Sequence, residues 1–268
     1  MFNAGVPAGV THITSRDNPL LKELRKLSVD ATAYRKLGRV WLEGDHLCRA
    51  ALQRGWVPAF GVFAESQWPA ALPALSQAAA KMIVIPDKFF ADISGLESPA
   101  SMGFVMNLPP APAPLAQVQT LVLDRVQDAG NVGSMLRSAA AFGVRQVLAL
   151  KGTAALWSPK VLRAGMGAHF ALQLHEALQV SDLLADLDRL ALPLVATSSH
   201  TGQFIHQQTL PAPCAWVMGH EGQGVSEVLM RRAALTVRIG QPGGEESLNV
   251  AAAAAICLHA NAVAVVVA

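Results

Sequence analysis

The sequence predicts an α/β protein in two parts, with a small N-terminal domain ahead of a larger domain built on a parallel sheet. Three observations lead there. Short apolar runs alternate with helical patterns along most of the 268 residues, as expected for a parallel sheet covered by helices on both faces. Four prolines in six residues, Pro109 to Pro114, cannot continue a helix or a central strand and favour extended backbone. Hydrophobic residues make up 52% of the chain and charged residues 15%, which excludes intrinsic disorder. The division predicted is residues 1–107 as an N-terminal domain, 108–117 as a proline-rich linker, and 118–268 as the main domain.

In the first domain Arg39–Glu43 reads as a strand, followed by a helix capped by Asp45 and running through Gln53. Val57–Phe63 and Met82–Ile85 read as strands with an alanine-rich helix between them, and Phe104–Met106 as the last strand. In the second domain Leu121–Leu123 is a buried strand. The next helix carries Val132, Met135, Leu136, Ala139 and Ala140 on one face. Gln146–Leu150 is a strand; Ser181 caps a helix with Leu183, Leu184, Leu187 and Leu190 inward, and Pro193 ends it before the strand Leu194–Ala196. Ala215–Met218 and Leu235–Ile239 are further strands, and Leu248–Ala260 closes the domain as a helix.

Mean hydropathy is +0.34, yet no run approaches the ~18 apolar residues of a spanning helix. The best stretch, Val250–Leu258, meets His259 and Asn261. Met1–His12 lacks a basic region and an apolar core, so no secretory leader is expected. Cys48, Cys214 and Cys257 have neither metal-site nor disulfide spacing and read as small buried hydrophobes of a reducing cytoplasm. Net charge is +2, but Arg16, Lys22, Arg25, Lys26, Arg35, Lys36 and Arg39 face only Asp17, Glu23 and Asp30 across that stretch. This local excess of four leaves the rest of the chain at −2. Such a patch is either a solvated helix face or the footprint of a polyanion, most simply RNA or DNA.

Three strand-to-helix junctions hold residues suited to a site, since ligands of parallel α/β sheets bind outside the carboxyl ends of the strands. The first, Asp124–Arg137, places Asn131 as a helix cap, with Gly133 and Arg137 sharing a helix face. The second, Met218–Gly224, has three glycines in six residues around Glu221, which lets backbone approach a ligand closely. It has neither the Lys-Ser/Thr of a phosphate loop nor the second histidine of a zinc helix, so no metal is expected. The third, Ile239–Val250, leads a glycine-rich loop through Ser247 and Asn249 into an alanine run; Ser247 reads as the cap, with Glu245 and Glu246 favouring the helix dipole.

Together Asn131-x-Gly133-x-x-x-Arg137, Gly219-x-Glu221-Gly222-x-Gly224 and Ser247-Leu248-Asn249-Val250 resemble, in order and separation, the three motifs of the SpoU (TrmH-type) RNA methyltransferases. Ile13–Pro19 and Glu43–Leu47 resemble the start of that family's accessory RNA-binding domain, itself similar to certain ribosomal proteins. The resemblance implies a SPOUT fold with a deep trefoil knot, which periodicity does not suggest, and a homodimer. It implies S-adenosylmethionine as cofactor, held around Met218, Gly219, Ile239, Leu248 and Asn249 with Thr197 at a neighbouring strand end. Arg137 would be catalytic, with Asn131, Glu221, Ser247 and Asn249 shaping the site, and the cluster Arg16–Arg39 would grip RNA. A ribose 2′-hydroxyl holds its proton at neutral pH, so methyl transfer needs that oxygen aligned and relieved of the proton; an arginine can orient it and stabilise the developing charge. Gly240 and Gln241 depart from the family's common proline and methionine, Ala129 from a common proline, and His220 occupies a variable position. The expected activity is ribose 2′-O-methylation of structured RNA in the cytoplasm, on ribosomal RNA first and transfer RNA second. A non-catalytic RNA-binding protein and a nucleotide-dependent oxidoreductase are the rival readings; intact Arg137 and Asn249 tell against the former, and the missing glycine fingerprint after the first strand against the latter.

Overall fold

The computed structural model describes residues 9–243 and 247–267. The chain forms two compact units, residues 1–110 with 157–170, and residues 111–156 with 171–268.

The first unit opens with β1 (Gly9–His12) and α1 (Pro19–Val29). The side chain of Asn18 accepts the Leu20 N–H at the start of α1, and Pro19 supplies a preset first-turn φ. Then come α2 (Ala33–Leu37), β2 (Arg39–Glu43), α3 (Asp45–Gln53), β3 (Phe60–Ala64), α4 (Pro73–Ser76), β4 (Lys81–Ile85), α5 (Asp87–Ile93) and β5 (Met102–Asn107). The strands form one mixed sheet in the order β1-β4-β3-β5-β2, with β5 antiparallel to both β2 and β3. Several expectations shift here. Gly44, not Asp45, precedes α3; Asp45 lies within the first turn and pairs with Arg49 at 3.3 Å. The strand expected from Val57 begins at Phe60. The alanine-rich helix is reduced to a 3₁₀ turn, Trp68–Ala70, and the four-residue α4, because Pro69 and Pro73 deny the backbone donors that a continuous helix requires.

The second unit starts in the proline-rich stretch, which it holds through two glutamines. Gln146 exchanges hydrogen bonds with both backbone groups of Leu115 (2.8 and 2.9 Å), and Gln173 Nε2 donates to the Ala113 carbonyl (2.8 Å). β6 (Thr120–Leu123), α6 (Ala129–Ala141) and β7 (Gln146–Leu150) follow. The chain then re-enters the first unit through α7 (Pro159–Gly165), where Trp157 and Phe170 pack on Trp56 at ring separations of 5.9 and 5.4 Å. It returns for β8 (Gln173–Leu178), α8 (Val180–Arg189), β9 (Leu194–Thr197), β10 (Gln203–Phe204), β11 (Ala215–Met218), α9 (Glu227–Arg232), β12 (Leu235–Arg238) and α10 (Val250–Val267).

Seven strands make one wholly parallel sheet, β10-β12-β9-β11-β6-β7-β8. Alternation along the strands separates its faces. Val122, Leu148, Leu194, Ala196, Ala215 and Val217 pack with Leu183, Leu187 and Leu190 of the α8 region and Leu229 of α9. On the other face Trp216 Nε1 donates to Asn261 Oδ1 of α10 at 2.8 Å. That buried amide also accepts from Gln119 Nε2 (2.6 Å) and the Cys214 thiol (3.2 Å), fixing α10 to the sheet. All three cysteines are buried and free. α8 begins after Gln179, so Ser181 lies inside it rather than capping it. No helix is long and apolar enough to cross a membrane, among the described residues.

Candidate active site

Because the sheet is parallel, the carboxyl ends of β6, β9, β11 and β12 share one edge, and the loops after β9, β11 and β12 enclose a cleft of about 620 Å³. Thr197, Gly219, Glu221, Ile239, Ser247, Leu248 and Asn249, all expected at the site, line this cleft.

The helix after β6 is capped by Asp128, not by Asn131. Asp128 has extended backbone and its Oδ1 accepts the Asn131 N–H at 2.7 Å, placing Asn131 one turn in and leaving its side chain available for other contacts. The Asn131 Nδ2 donates to Glu221 Oε1 at 3.1 Å, and its Oδ1 accepts from Asn249 Nδ2 at 2.9 Å. Asn249 in turn caps α10, accepting the N–H groups of Ala251 (2.9 Å) and Ala252 (3.2 Å). This displaces Ser247 from the expected capping role, since Ser247 lies two residues further from the helix; Glu245 and Glu246 lie outside the described residues. Glu221, Asn131 and Asn249, from three separate segments, thus form one continuous hydrogen-bonded line.

Glu221 also accepts the backbone N–H groups of Gln127 and Asp128, each at 3.1 Å. Burial pushes its carboxyl pKa up, but these two donors and Asn131 outweigh burial and hold it below the ordinary carboxylate range. Behind it Asp124 is fully buried. Its carboxylate accepts the Ser226 N–H (2.6 Å) and the Arg125 Nε–H (2.9 Å), and Arg125 Nη1 reaches Gln223 Oε1 at 3.1 Å. The loop after β6 therefore clasps the glycine loop at both ends.

The glycine loop is also closed on itself. His220 and Gly224 exchange backbone hydrogen bonds of 3.0 and 2.8 Å, and the His220 Nδ1 accepts the N–H groups of Gly222 (3.0 Å) and Gln223 (3.2 Å). A Cβ at Gly219 would lie 2.2 Å from Gly224 C and Val225 N, so only glycine fits there.

Some expected residues are elsewhere. Met218 is fully buried and its carbonyl accepts the Asp124 N–H at 2.8 Å, so it supports the loop from beneath. Arg137 is exposed on α6, lies outside the cleft lining, and makes no hydrogen bond or ion pair among the described residues. Gly133, four residues earlier, is buried. Of the basic stretch, Arg16 and Arg25 both pair with Asp92 (2.9 and 3.8 Å), Arg39 pairs with Glu23 (3.2 Å) and Lys22 with Asp17 (3.6 Å). Arg35 lies over the Tyr34 ring, and Lys26 and Lys36 are exposed without an ion pair among the described residues. Sequence reasoning assigned nothing to Asp124, Ser198 or His200. The last two line the cleft after β9, where Ser198 Oγ accepts the His200 and Thr201 N–H groups at 3.2 Å. Only their place directly after a strand could have flagged them.

The cleft suits S-adenosylmethionine. It joins apolar walls at Ile239 and Leu248 to backbone exposed by glycines, and Gln241 on its wall carries a buried Oε1 with no partner among the described residues. An unpaired buried acceptor costs about 1–3 kcal/mol, which a donor on a ligand would relieve.

The model of the SpoU rRNA Methylase family matches residues 119–259, more than half of the chain. The chain is 31% identical over 257 residues to an uncharacterized tRNA/rRNA methyltransferase of Synechocystis, covering 93% of each. It is 28% identical over 248 residues to the 23S rRNA (guanosine(2553)-2'-O)-methyltransferase RlmP of Bacillus subtilis, covering 92% of this chain and 97% of that one. Among solved structures it matches an rRNA methyltransferase from Sinorhizobium meliloti with S-adenosylmethionine bound, at a TM-score of 0.81 and 26% identity over 94% of this chain and 97% of that one. The chain belongs to the SpoU rRNA methylase family, whose members transfer a methyl group from S-adenosylmethionine to a ribose 2′-hydroxyl of RNA.

Proposed function

We propose that this enzyme methylates ribosomal RNA in the cytoplasm, with Arg137 as its catalytic residue. The observation that carries the reading is the line Glu221–Asn131–Asn249, which ties all three motif segments together at the rim of one cleft. The rRNA activity named for the Bacillus relative supports this RNA class; transfer RNA is the second candidate, favoured by the name of the Synechocystis relative.

S-adenosylmethionine supplies, when bound, an electrophilic methyl group. Backbone of Gly219, Ile239 and Leu248, with Thr197, would hold it, Met218 lying beneath. Arg137 carries a permanent charge with no internal partner among the described residues, so its guanidinium is free to bind the phosphate beside the target ribose. From there it orients the 2′-hydroxyl and stabilises the alkoxide as the proton leaves. Glu221, Asn131, Ser247 and Asn249 keep the three loops in register around that oxygen. The unit containing β1 to β5 grips structured RNA through Arg16–Arg39, in the manner of a ribosomal-protein-like domain.

The resemblance also supports a trefoil knot in the C-terminal region and a homodimer. Exposed Ile256 and Val263 on α10 are compatible with a partner there.

The test uses methyl-labelled cofactor and total RNA from cells lacking this gene, followed by alkaline digestion. Wild type should yield an alkali-resistant labelled dinucleotide, and Arg137→Ala should lower its yield by about 10²-fold or more. Label in alkali-sensitive mononucleotides would mean base methylation and would overturn the role of Arg137. No label, with cofactor binding intact on ribosomal and transfer RNA alike, would favour a non-catalytic RNA-binding protein.

A further inference from the structure

Within the glycine loop, one side chain accepts two backbone hydrogen bonds on a single ring nitrogen. The His220 Nδ1 receives two backbone N–H groups, from Gly222 at 3.0 Å and Gln223 at 3.2 Å. A nitrogen that accepts must carry its lone pair, so this contact exists only while Nδ1 is unprotonated. The imidazole bridges the turn from inside, alongside the reciprocal backbone pair of His220 and Gly224. Protonation would turn an acceptor of two hydrogen bonds into a donor facing two donors.

We propose that His220 is a positioning residue for the cofactor, its neutral imidazole stapling the glycine loop in the conformation that binds S-adenosylmethionine, so that binding weakens when the imidazole is protonated. This rests on the cofactor reading of the cleft. His220 itself lines the cleft, as do Gly219, Gly222 and Gly224, the backbone it organises.

The charged neighbours are accounted for. Glu221 adjoins His220, but its carboxylate is directed to Gln127, Asp128 and Asn131 and stays ionised below the ordinary carboxylate range. Arg125 reaches the loop through Gln223 while paired with Asp124. His200 lines the same cleft and is its other imidazole among the described residues.

The experiment is calorimetric titration of the full-length protein with S-adenosylmethionine at about pH 8 and about pH 5. Wild type should bind roughly tenfold more weakly at the lower pH, the equivalent of about 1.4 kcal/mol. His220→Asn keeps a short side-chain acceptor of the kind that closes such turns, so it should restore binding at pH 8 and show no pH dependence. His220→Ala should bind weakly at both values, and His200→Asn should keep the wild-type dependence. Binding by wild type that is flat with pH, or an equally steep dependence in His220→Asn, would overturn this inference alone. Absence of binding by wild type at every pH would overturn the cofactor reading and this inference with it.

Discussion

Glu221 shows how much of the site depends on single acceptors. Its charge is held by two backbone N–H groups and one amide, and its pKa is lowered from 4.5 in the folded protein. A depressed carboxyl contributes stability that is full above its unfolded value and is lost as pH falls through the folded value. Glu221→Gln should therefore lower the thermal midpoint at pH 6, with the gap to wild type closing below about pH 4.5; a gap independent of pH would contradict this account of the charge. The residue types at the site were legible in the sequence, but their partners were not. Asp128 and Asn131 both suit a helix cap, as do Ser247 and Asn249. Which one caps is set by the backbone entering the helix, where a shift of three residues turns a capping side chain into a bridge between loops.

The strands that were read correctly, such as Gln146–Leu150 and Ala215–Met218, are fully buried, and four consecutive apolar residues run through each of them. Those that were missed, β1, β8 and β10, terminate their sheets or, like Gln173–Leu178, carry polar residues, so pairing with a single neighbour defines them more than their own pattern does. The loop after β11 was legible for a different reason, since its glycines answer a steric demand. Gly219→Ala should force Gly224 and Val225 away from their positions and weaken cofactor binding by more than roughly tenfold, with far-ultraviolet circular dichroism unchanged. Retention of affinity would show that the loop can open without consequence.

The basic stretch lies in the first unit and the cleft lining in the second, and this makes a distinct prediction for RNA binding. Pairing with Asp92, Glu23 and Asp17 moderates the basic stretch without abolishing it, because these pairs are largely exposed and worth about 0–1 kcal/mol each. Neutralising Lys22, Arg25 and Lys26 together should weaken RNA binding and leave cofactor affinity unchanged. It should also flatten the salt dependence, the logarithmic slope falling by roughly one for each RNA phosphate that is no longer neutralised. Equal slopes for mutant and wild type would place the RNA elsewhere. The unit boundary at residues 110 and 111 lies within the proline-rich stretch. Its partners were hidden, because the glutamines that hold it lie about 30 to 60 residues downstream.

The return of residues 157–170 to the first unit has a consequence for how such a protein can be rearranged. The polypeptide passes between the units three times, so a fragment ending in the proline-rich stretch omits Trp157 and Phe170 and strips Trp56 of both aromatic neighbours. Exchange of the first unit with that of a relative, whether by recombination or in the laboratory, therefore requires two cassettes to travel together. A crossover confined to the prolines would graft an incomplete part and leave its complement stranded in the recipient.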